Sequence, residues 1–490
     1  MTKKVNTSNH HQDVIIVGAG LSGICAAYYL QKECPNHSFT ILEMRGAMGG
    51  TWDLFRYPGV RSDSDMYTLG YAFRPWQDAK AVTDGATILQ YIRDTAKDEN
   101  IEQKIQYHHK VQAAAWSSEQ AEWTVEVANT QTEETLTYTC NFLFMCSGYY
   151  NYDQGYTPDF PGLNDYKGTL IHPQHWPEDL DYTGKRVLVI GSGATAVTLV
   201  PAMTDKAEEV TMLQRSPSYV VSKPAKDKFA NFLKKTLPSK MAHRFVRRRN
   251  ILMETFFYQL ARRKPNFAKK MLIKNLQKEL GKDFDVETHF TPTYNPWDQR
   301  VCLVPDSDLF VALKNGKARV ITDHIHSFTE KGVQLQSGVE LSADIIVTAT
   351  GLEVKFISDM KITMNGKAVD PTQKYVYKGL MLSDIPNFIQ VIGYTNISWT
   401  LKAGLACEYV CRLLNYMDKK GFNTCTPRAT QHSIHTDEPL INLSAGYFTR
   451  ARNKLPKQGK HDPWKLHQNY IRDLFKLRFG KLKDGVMEYK

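Results

Sequence analysis

The sequence predicts an α/β protein built from two dinucleotide-binding units of the Rossmann type, the second interrupted by a helical insertion. Three observations predict it. A strand, glycine turn, helix and strand follow one another near the N-terminus, the same pattern recurs near residue 190, and a buried apolar strand returns the chain after each unit. The length of 490 residues fits two or three domains, and 42% hydrophobic against 23% charged residues excludes wholesale disorder.

The first unit opens with an apolar strand from Asp13 to Val17, followed by Gly18-Ala-Gly20-Leu-Ser-Gly23 and a helix from Leu21 to Lys32. Gly18 permits the tight turn and Gly20 lets a pyrophosphate approach the backbone. Gly23 lets the helix lie close on the sheet with its N-terminus toward the phosphate. A second strand, Ser38 to Leu42, ends in Glu43, placed to accept hydrogen bonds from a ribose diol.

The second unit repeats this order with a different tip. Lys185 to Ile190 is a strand, Gly191-Ser-Gly193-Ala-Thr-Ala196 opens a helix through Leu199, and the strand Glu209 to Leu213 leads into Arg215 and Ser216. A carboxylate would repel a 2′-phosphate, whereas a guanidinium binds one with charge-assisted hydrogen bonds. The first site therefore suits FAD or NAD and the second suits NADP. The return segments are Phe142 to Gly148 and Ala343 to Gly351. They divide the chain into residues 1–160 with 345–490 for the first unit, and 161–344 for the second, with a basic helical insertion over about 223–290 and a basic C-terminal tail.

Eight cysteines are scattered, with no CxxC pair and no Cys/His spacing of a zinc site, so a reducing, cytoplasmic setting without a structural metal is expected. The apolar run behind the basic N-terminus is short and ends in glycine, unlike a secretory signal, and no stretch is long enough to span a membrane. A disulfide reductase would need a redox cysteine pair after the first helix. Cys25 and Cys34 are wrongly spaced for that role.

Between the units runs Tyr166-Lys-Gly168-Thr-Leu-Ile-His172-Pro-Gln-His-Trp176-Pro177. This string resembles the FxGxxxHxxxWP signature of Baeyer–Villiger monooxygenases, with Tyr166 in place of Phe; the Trp176-Pro177 ending separates it from the flavin-containing monooxygenases. The segment Gly49-Gly50-Thr51-Trp52, continuing through Arg56-Tyr-Pro-Gly-Val-Arg61-Ser-Asp63, is similar to the family's flavin-side segment. The strings around Arg300 and Trp399 resemble the ethionamide-activating branch.

The resemblance implies FAD and NADPH as cofactors, hydride reduction of the flavin, addition of molecular oxygen to give a C4a-peroxyflavin, and oxygen insertion beside a ketone carbonyl to give an ester or lactone. The protonated oxidant would also oxygenate thioethers or thioamides. The alternative is mainly a heteroatom oxygenase or NADPH oxidase of the flavin-containing type. Arg300 matches the family's essential arginine, which stays charged without delivering a proton, and Asp63 matches the acid that aims it. The family's usual Lys-Arg is here Gln299-Arg300, which leaves more of the NADPH selectivity to Arg215 and Ser216. Gly50, Thr51, Trp52 and Asp63 join Gly18, Gly20, Gly23 and Glu43 on the flavin side. Gly191, Gly193, Ala196, Arg215, Ser216 and Arg300 take the NADP side. His172, with Gly168, reads as a hydrogen-bonded linker histidine that orders the second unit. Tyr294, Pro296, Trp297 and residues 394–400 are candidates for the substrate wall.

The net charge of +11 is local. Residues 223–282 carry 18 Lys/Arg against 3 acids and residues 450–490 carry 12 against 4, while the remainder has a net charge of −12. Phe229, Phe232, Leu233, Leu237, Met241 and Phe245, then Leu252, Met253, Phe256, Phe257 and Leu260, recur at helical spacing. Two readings fit this insertion: an apolar face packed over the active site with a solvated basic face, or peripheral attachment to anionic lipid. No nucleic-acid module accompanies the charge, so no such partner is expected.

Overall fold

The computed structural model describes residues 5–430, 438–441 and 443–490. Two sheets organise it. In the larger one, β1 (Val5–Val17) pairs in parallel with β2 (Phe39–Leu42) on one side and with β6 (Thr135–Met145) on the other. β3 (Ile105–Gln106) extends the β2 edge. Beyond β6, the antiparallel strands β4 (His109–Ser117) and β5 (Glu122–Asn129) form an arm, and short strands from 361–390 complete an 11-stranded sheet. The arm is held by the cross-strand pair Trp116 and Trp123, 5.4 Å apart, with the buried Trp123 Nε1 donating to Pro386 O at 3.2 Å.

The apolar stretch at 13–17 predicts only the end of β1. The strand reaches back to Val5 because β6 continues past it and offers backbone partners from Thr135 to Tyr138. Within β1, Val14, Ile15 and Ile16 are fully buried, as a strand covered on both faces requires.

The second sheet is wholly parallel. From one edge to the other it runs β10 (Ala318–Thr322), β9 (Glu209–Gln214), β8 (Arg186–Ile190), β11 (Ile345–Thr348) and β7 (Thr169–Ile171). Each glycine turn leads into a helix whose first-turn N–H groups have no side-chain cap: α1 (Leu21–Glu33) behind Gly20, and α2 (Ala194–Met203) behind Gly193. Such an end is free to receive an anion.

The insertion supplies α3 (Lys228–Thr236), α4 (Ser239–Arg263) and α5 (Pro265–Leu280). Of the apolar residues grouped by periodicity, Phe229, Phe232, Met241, Phe245, Leu252, Met253, Phe256 and Phe257 are all exposed, which corrects the reading that this face packs inward. The inward side of α4 is built instead from Ala242, His243, Val246 and Ile251. Arg247 ties the helix to the body by donating to the carbonyl oxygens of Tyr67 and Gly70 at 2.6 and 2.7 Å. Among the described residues no helix is long and apolar enough to cross a membrane, and no cluster of His, Cys, Asp or Glu could hold a metal ion. All eight cysteines are buried free thiols.

Candidate active site

A cleft of about 360 Å³ lies along the C-terminal edge of the larger sheet and reaches the start of α2. Gly18, Gly20, Glu43, Gly50, Thr51, Trp52, Asp63 and Arg300 all line it, so residues spread over nearly 300 positions of chain converge on one space. Gly23 stays outside it with a packing role. A Cβ there would stand 1.9 Å from Gly18 O, which is why α1 can sit directly on the turn. Gly18 itself has φ +103°, and its Cβ would meet Cys146 O at 2.8 Å.

The floor of the cleft fits the flavin dinucleotide expected of the first unit. Gly20 and Gly50 face each other with no side chain between them, leaving bare backbone beside the uncapped N-terminus of α1. Glu43 is buried and accepts from the backbone N–H groups of Ala19 at 2.8 Å and Arg45 at 3.0 Å. Burial raises its pKa against those two hydrogen bonds. Hydroxyl donors of a ribose would favour its charged form.

Asp53 was not singled out from sequence, yet it organises this wall. The buried carboxylate pairs with Arg45 at 2.9 Å, Arg56 at 3.0 Å and Arg93 at 3.1 Å. It thereby clamps the Gly50–Trp52 turn to residues some 40 positions away. The signal available in sequence was an acid directly after Trp52. Arg45 and Arg56 are near it in sequence, but its burial and its third partner, Arg93, are not readable there.

At the far end stand Arg300 and Asp63. Burial raises the Asp63 pKa, while Arg300 and Arg61 pull it down. Burial also opposes the Arg300 charge, but Tyr447, Tyr149, Tyr150 and Asp63 outweigh it, so the guanidinium is held firmly protonated. Arg300 and Asp63 interact through charge rather than through a hydrogen bond. The Nε of Arg300 is a buried donor with no partner among the described residues. Arg61 turns away to pair with Asp308.

Gly191 and Gly193 of the second turn do not line the cleft, although Ala194 and Thr195 directly after them do. Gly191 has φ +142°, and a Cβ on it would come within 2.3 Å of Ala349 O, whereas Gly193 is exposed and open. Ala196, where the first unit has its third glycine, is fully buried. Ser192 Oγ donates to Ser216 O at 3.0 Å, so the turn and the Arg215-Ser216 tip form one exposed surface. Sequence reading missed Arg450, which belongs to this surface. Its guanidinium lies 3.4 Å over the Tyr156 ring, and burial and the neighbouring Arg215 charge lower its pKa, against Tyr156 and Glu353.

The linker string is structural in its contacts. Tyr166 donates to Ala343 O at 2.9 Å, and a Cβ on Gly168 would strike the Tyr166 hydroxyl at 2.2 Å. His172 Nδ1 accepts from Gln174 N–H at 3.2 Å, so Nε2 carries the proton and donates to Gly351 O at 3.1 Å. Burial lowers its pKa and keeps it neutral. Trp176 is buried among the core of the second sheet, and Pro177 follows it.

Of the candidate substrate wall, Tyr394, Ile397 and Trp399 line the cleft, whereas Tyr294, Pro296 and Trp297 do not. Tyr294 directs its hydroxyl to Pro217 O at 3.4 Å and Trp297 packs on Tyr258 of α4. Trp399 is fixed by its Nε1 donating to Ser22 Oγ at 2.8 Å.

The model of the flavin-binding monooxygenase-like family matches residues 11–394. The chain belongs to that family. It is 52% identical to the FAD-containing monooxygenase EthA of Mycobacterium tuberculosis strain H37Rv over 98% of each chain. It is 48% identical to the probable FAD-binding monooxygenase AlmA of Acinetobacter baylyi, covering 98% of this chain and 96% of that one. Among solved structures, an oxidised steroid monooxygenase bound to NADP superposes with TM-score 0.77 at 19% identity, over 98% of this chain and 99% of that one. The complex of OTEMO with FAD and NADP superposes with TM-score 0.68 at 22% identity, over 86% and 88%. These likenesses show the shared α/β fold. With the family, they make the chain a flavin monooxygenase.

Proposed function

We propose that this flavin monooxygenase uses FAD, NADPH and molecular oxygen to insert one oxygen atom beside a ketone carbonyl, and that it also oxygenates thioethers or thioamides. The overall balance is ketone, dioxygen, NADPH and a proton giving ester or lactone, NADP and water. Arg300 carries the reading: a guanidinium deep in the cleft, held charged, with a buried N–H that has no acceptor among the described residues. A buried donor of that kind calls for an acceptor from a ligand.

When bound, reduced flavin supplies the electrons that activate dioxygen. This chain's residues do the rest. Gly18, Gly20 and the N-terminus of α1 would receive the pyrophosphate, Glu43 the ribose hydroxyls, and the Gly50–Trp52 turn the other side of the dinucleotide. Gly191, Gly193, Arg215 and Ser216, with Arg450 above them, would hold NADPH and its 2′-phosphate. Arg300 meets developing negative charge on oxygen without releasing a proton, because a guanidinium does not titrate in the working range. Asp63 orients that charge from across the cleft. His172 holds the linker to Gly351 and serves as a positioning residue.

The test is turnover of phenylacetone, a linear methyl ketone and a thioether with NADPH, measuring ester, sulfoxide and hydrogen peroxide. Ester from either ketone supports the reading; sulfoxide or peroxide alone replaces it with a heteroatom oxygenase or NADPH oxidase. Arg300→Ala is expected to keep flavin reduction by NADPH and to lose product by at least about a hundredfold. Normal product from that variant would remove Arg300 from the chemistry.

A further inference from the structure

The outward side of the insertion carries large apolar side chains that remain exposed among the described residues. On α4, Met241, Phe245, Leu252 and Phe256 fall within an arc of about 60° at 100° per residue. Their side chains are 46%, 52%, 57% and 62% exposed. Phe229 and Phe232 on α3 and Phe267 on α5 add exposed rings at 48%, 61% and 56%. Single exposed apolar residues are ordinary, but this many large ones on three successive helices mark an interaction surface.

The charge on the same side narrows the partner. By the same helical geometry Arg244, Arg248 and Arg263 lie along the stripe, all three are exposed, and among the described residues none of them forms an ion pair. They belong to the segment with 18 Lys/Arg against 3 acids. Aromatic rings beside unpaired guanidinium groups match the boundary of a bilayer, where acyl chains lie just beneath a layer of phosphates. A symmetric dimer through this face would set the same positive charges against each other.

The opposite side of α4 connects this face to the cleft. Ile251 packs with Tyr394 and Leu401, and Arg247 holds the carbonyls of the turn ending at Leu69 and Gly70. Tyr394 and Leu69 both line the cleft. We propose that the outward face of α3, α4 and α5 is a docking surface for an anionic lipid bilayer, with Phe245, Leu252 and Phe256 entering the acyl boundary and Arg244, Arg248 and Arg263 on the lipid phosphates.

The flavin-loaded protein is sedimented with vesicles of phosphatidylcholine alone and with an equimolar mixture of phosphatidylcholine and phosphatidylglycerol. It is expected to bind the mixed vesicles at low salt and to lose affinity by at least about tenfold at high salt or without the anionic lipid. The double variant Phe245→Ser, Phe256→Ser and the triple variant Arg244→Gln, Arg248→Gln, Arg263→Gln are each expected to weaken binding by about tenfold. Both should keep the flavin spectrum and the melting temperature, since these side chains make the exposed side only. Absence of binding at low salt, binding unchanged in the two folded variants, or a concentration-dependent dimer that the Phe→Ser variant abolishes would each overturn the proposal. None of these readouts depends on turnover, so they stand apart from the oxygenation reading.

Discussion

At the residue scale, the cleft is set by groups whose protonation the fold has shifted, and Glu43 turns that into a measurable dependence. Its pKa is raised in the free protein from the ordinary 4.5, chiefly by burial. Ribose hydroxyls donate to the charged form and favour it. Binding of FAD therefore releases a proton where free Glu43 is still protonated, and affinity rises with pH across that range. Titration of flavin into apoprotein at pH values from about 5 upward should show this slope, and Glu43→Gln should flatten it and weaken binding. On the second surface, Arg215→Ala and Arg450→Ala are each expected to weaken NADP binding to the flavin-loaded protein about tenfold while NAD binding changes little. Equal losses for both nucleotides would take either arginine off the 2′-phosphate. Glu43 and Arg215 were legible in the sequence because a strand tip fixes their place relative to a glycine turn. Arg450 was not, since Tyr156 and Arg215 are brought to it only by tertiary packing, and Asp53 was not, since neither its burial nor its third partner Arg93 shows in the local sequence.

At the scale of elements, the C-terminal helix Tyr470–Arg478 is joined to the long helix Trp399–Lys420 by one buried pair. Lys402 Nζ meets Asp473 Oδ2 at 2.8 Å, both side chains are almost fully buried, and the Tyr394 hydroxyl donates to the same oxygen at 2.8 Å. Removing one partner leaves an uncompensated charge inside, so Asp473→Ala should cost about 3–5 kcal/mol, read as a lowered urea midpoint. Replacing both residues by apolar ones of similar volume should recover much of it. Glu254 on α4 offers a pH test of the opposite kind. Burial, then the facing Asp65, push its carboxyl up to about 8, against Lys223. The folded state thus holds a proton that the unfolded chain loses near 4.5, and stability falls as pH rises between those values. Glu254→Gln should flatten that fall and raise the melting temperature at pH 8 but not at pH 4. The helical character of the insertion was readable from period, but not its division: the first periodic group straddles the break at Leu237-Pro238, and α4 joins its end to the second group. The orientation of the helices was not readable either: periodicity locates an apolar stripe without saying what lies opposite it, and α4 buries Ala242, His243, Val246 and Ile251 while leaving Met241, Phe245, Leu252 and Phe256 exposed.

At the scale of the whole molecule, the cleft works only if the two units stay pressed together. Tyr57 and Val60 from the first part of the chain and Ala194, Thr195 and Thr198 from α2 line it jointly. Gly59 sits at that junction with φ +75°, and a Cβ on it would stand 2.6 Å from the Ala202 side chain and 3.0 Å from Thr198 O. No larger residue fits without moving α2 away from the 55–63 loop. Such a movement leaves Gly18, Gly20, Glu43 and Asp53 untouched, because they rest on the larger sheet and its own clamp. It opens the side of the cleft toward α2 and admits water beside Arg300. Gly59→Val is therefore expected to purify with its flavin and to consume NADPH, but to release a severalfold larger share of the reducing equivalents as hydrogen peroxide. Parallel measurement of NADPH oxidation, oxygenated product and peroxide separates this from simple loss of activity. Unchanged coupling in a flavin-loaded Gly59→Val protein would mean that the seal between the units lies elsewhere than at this glycine.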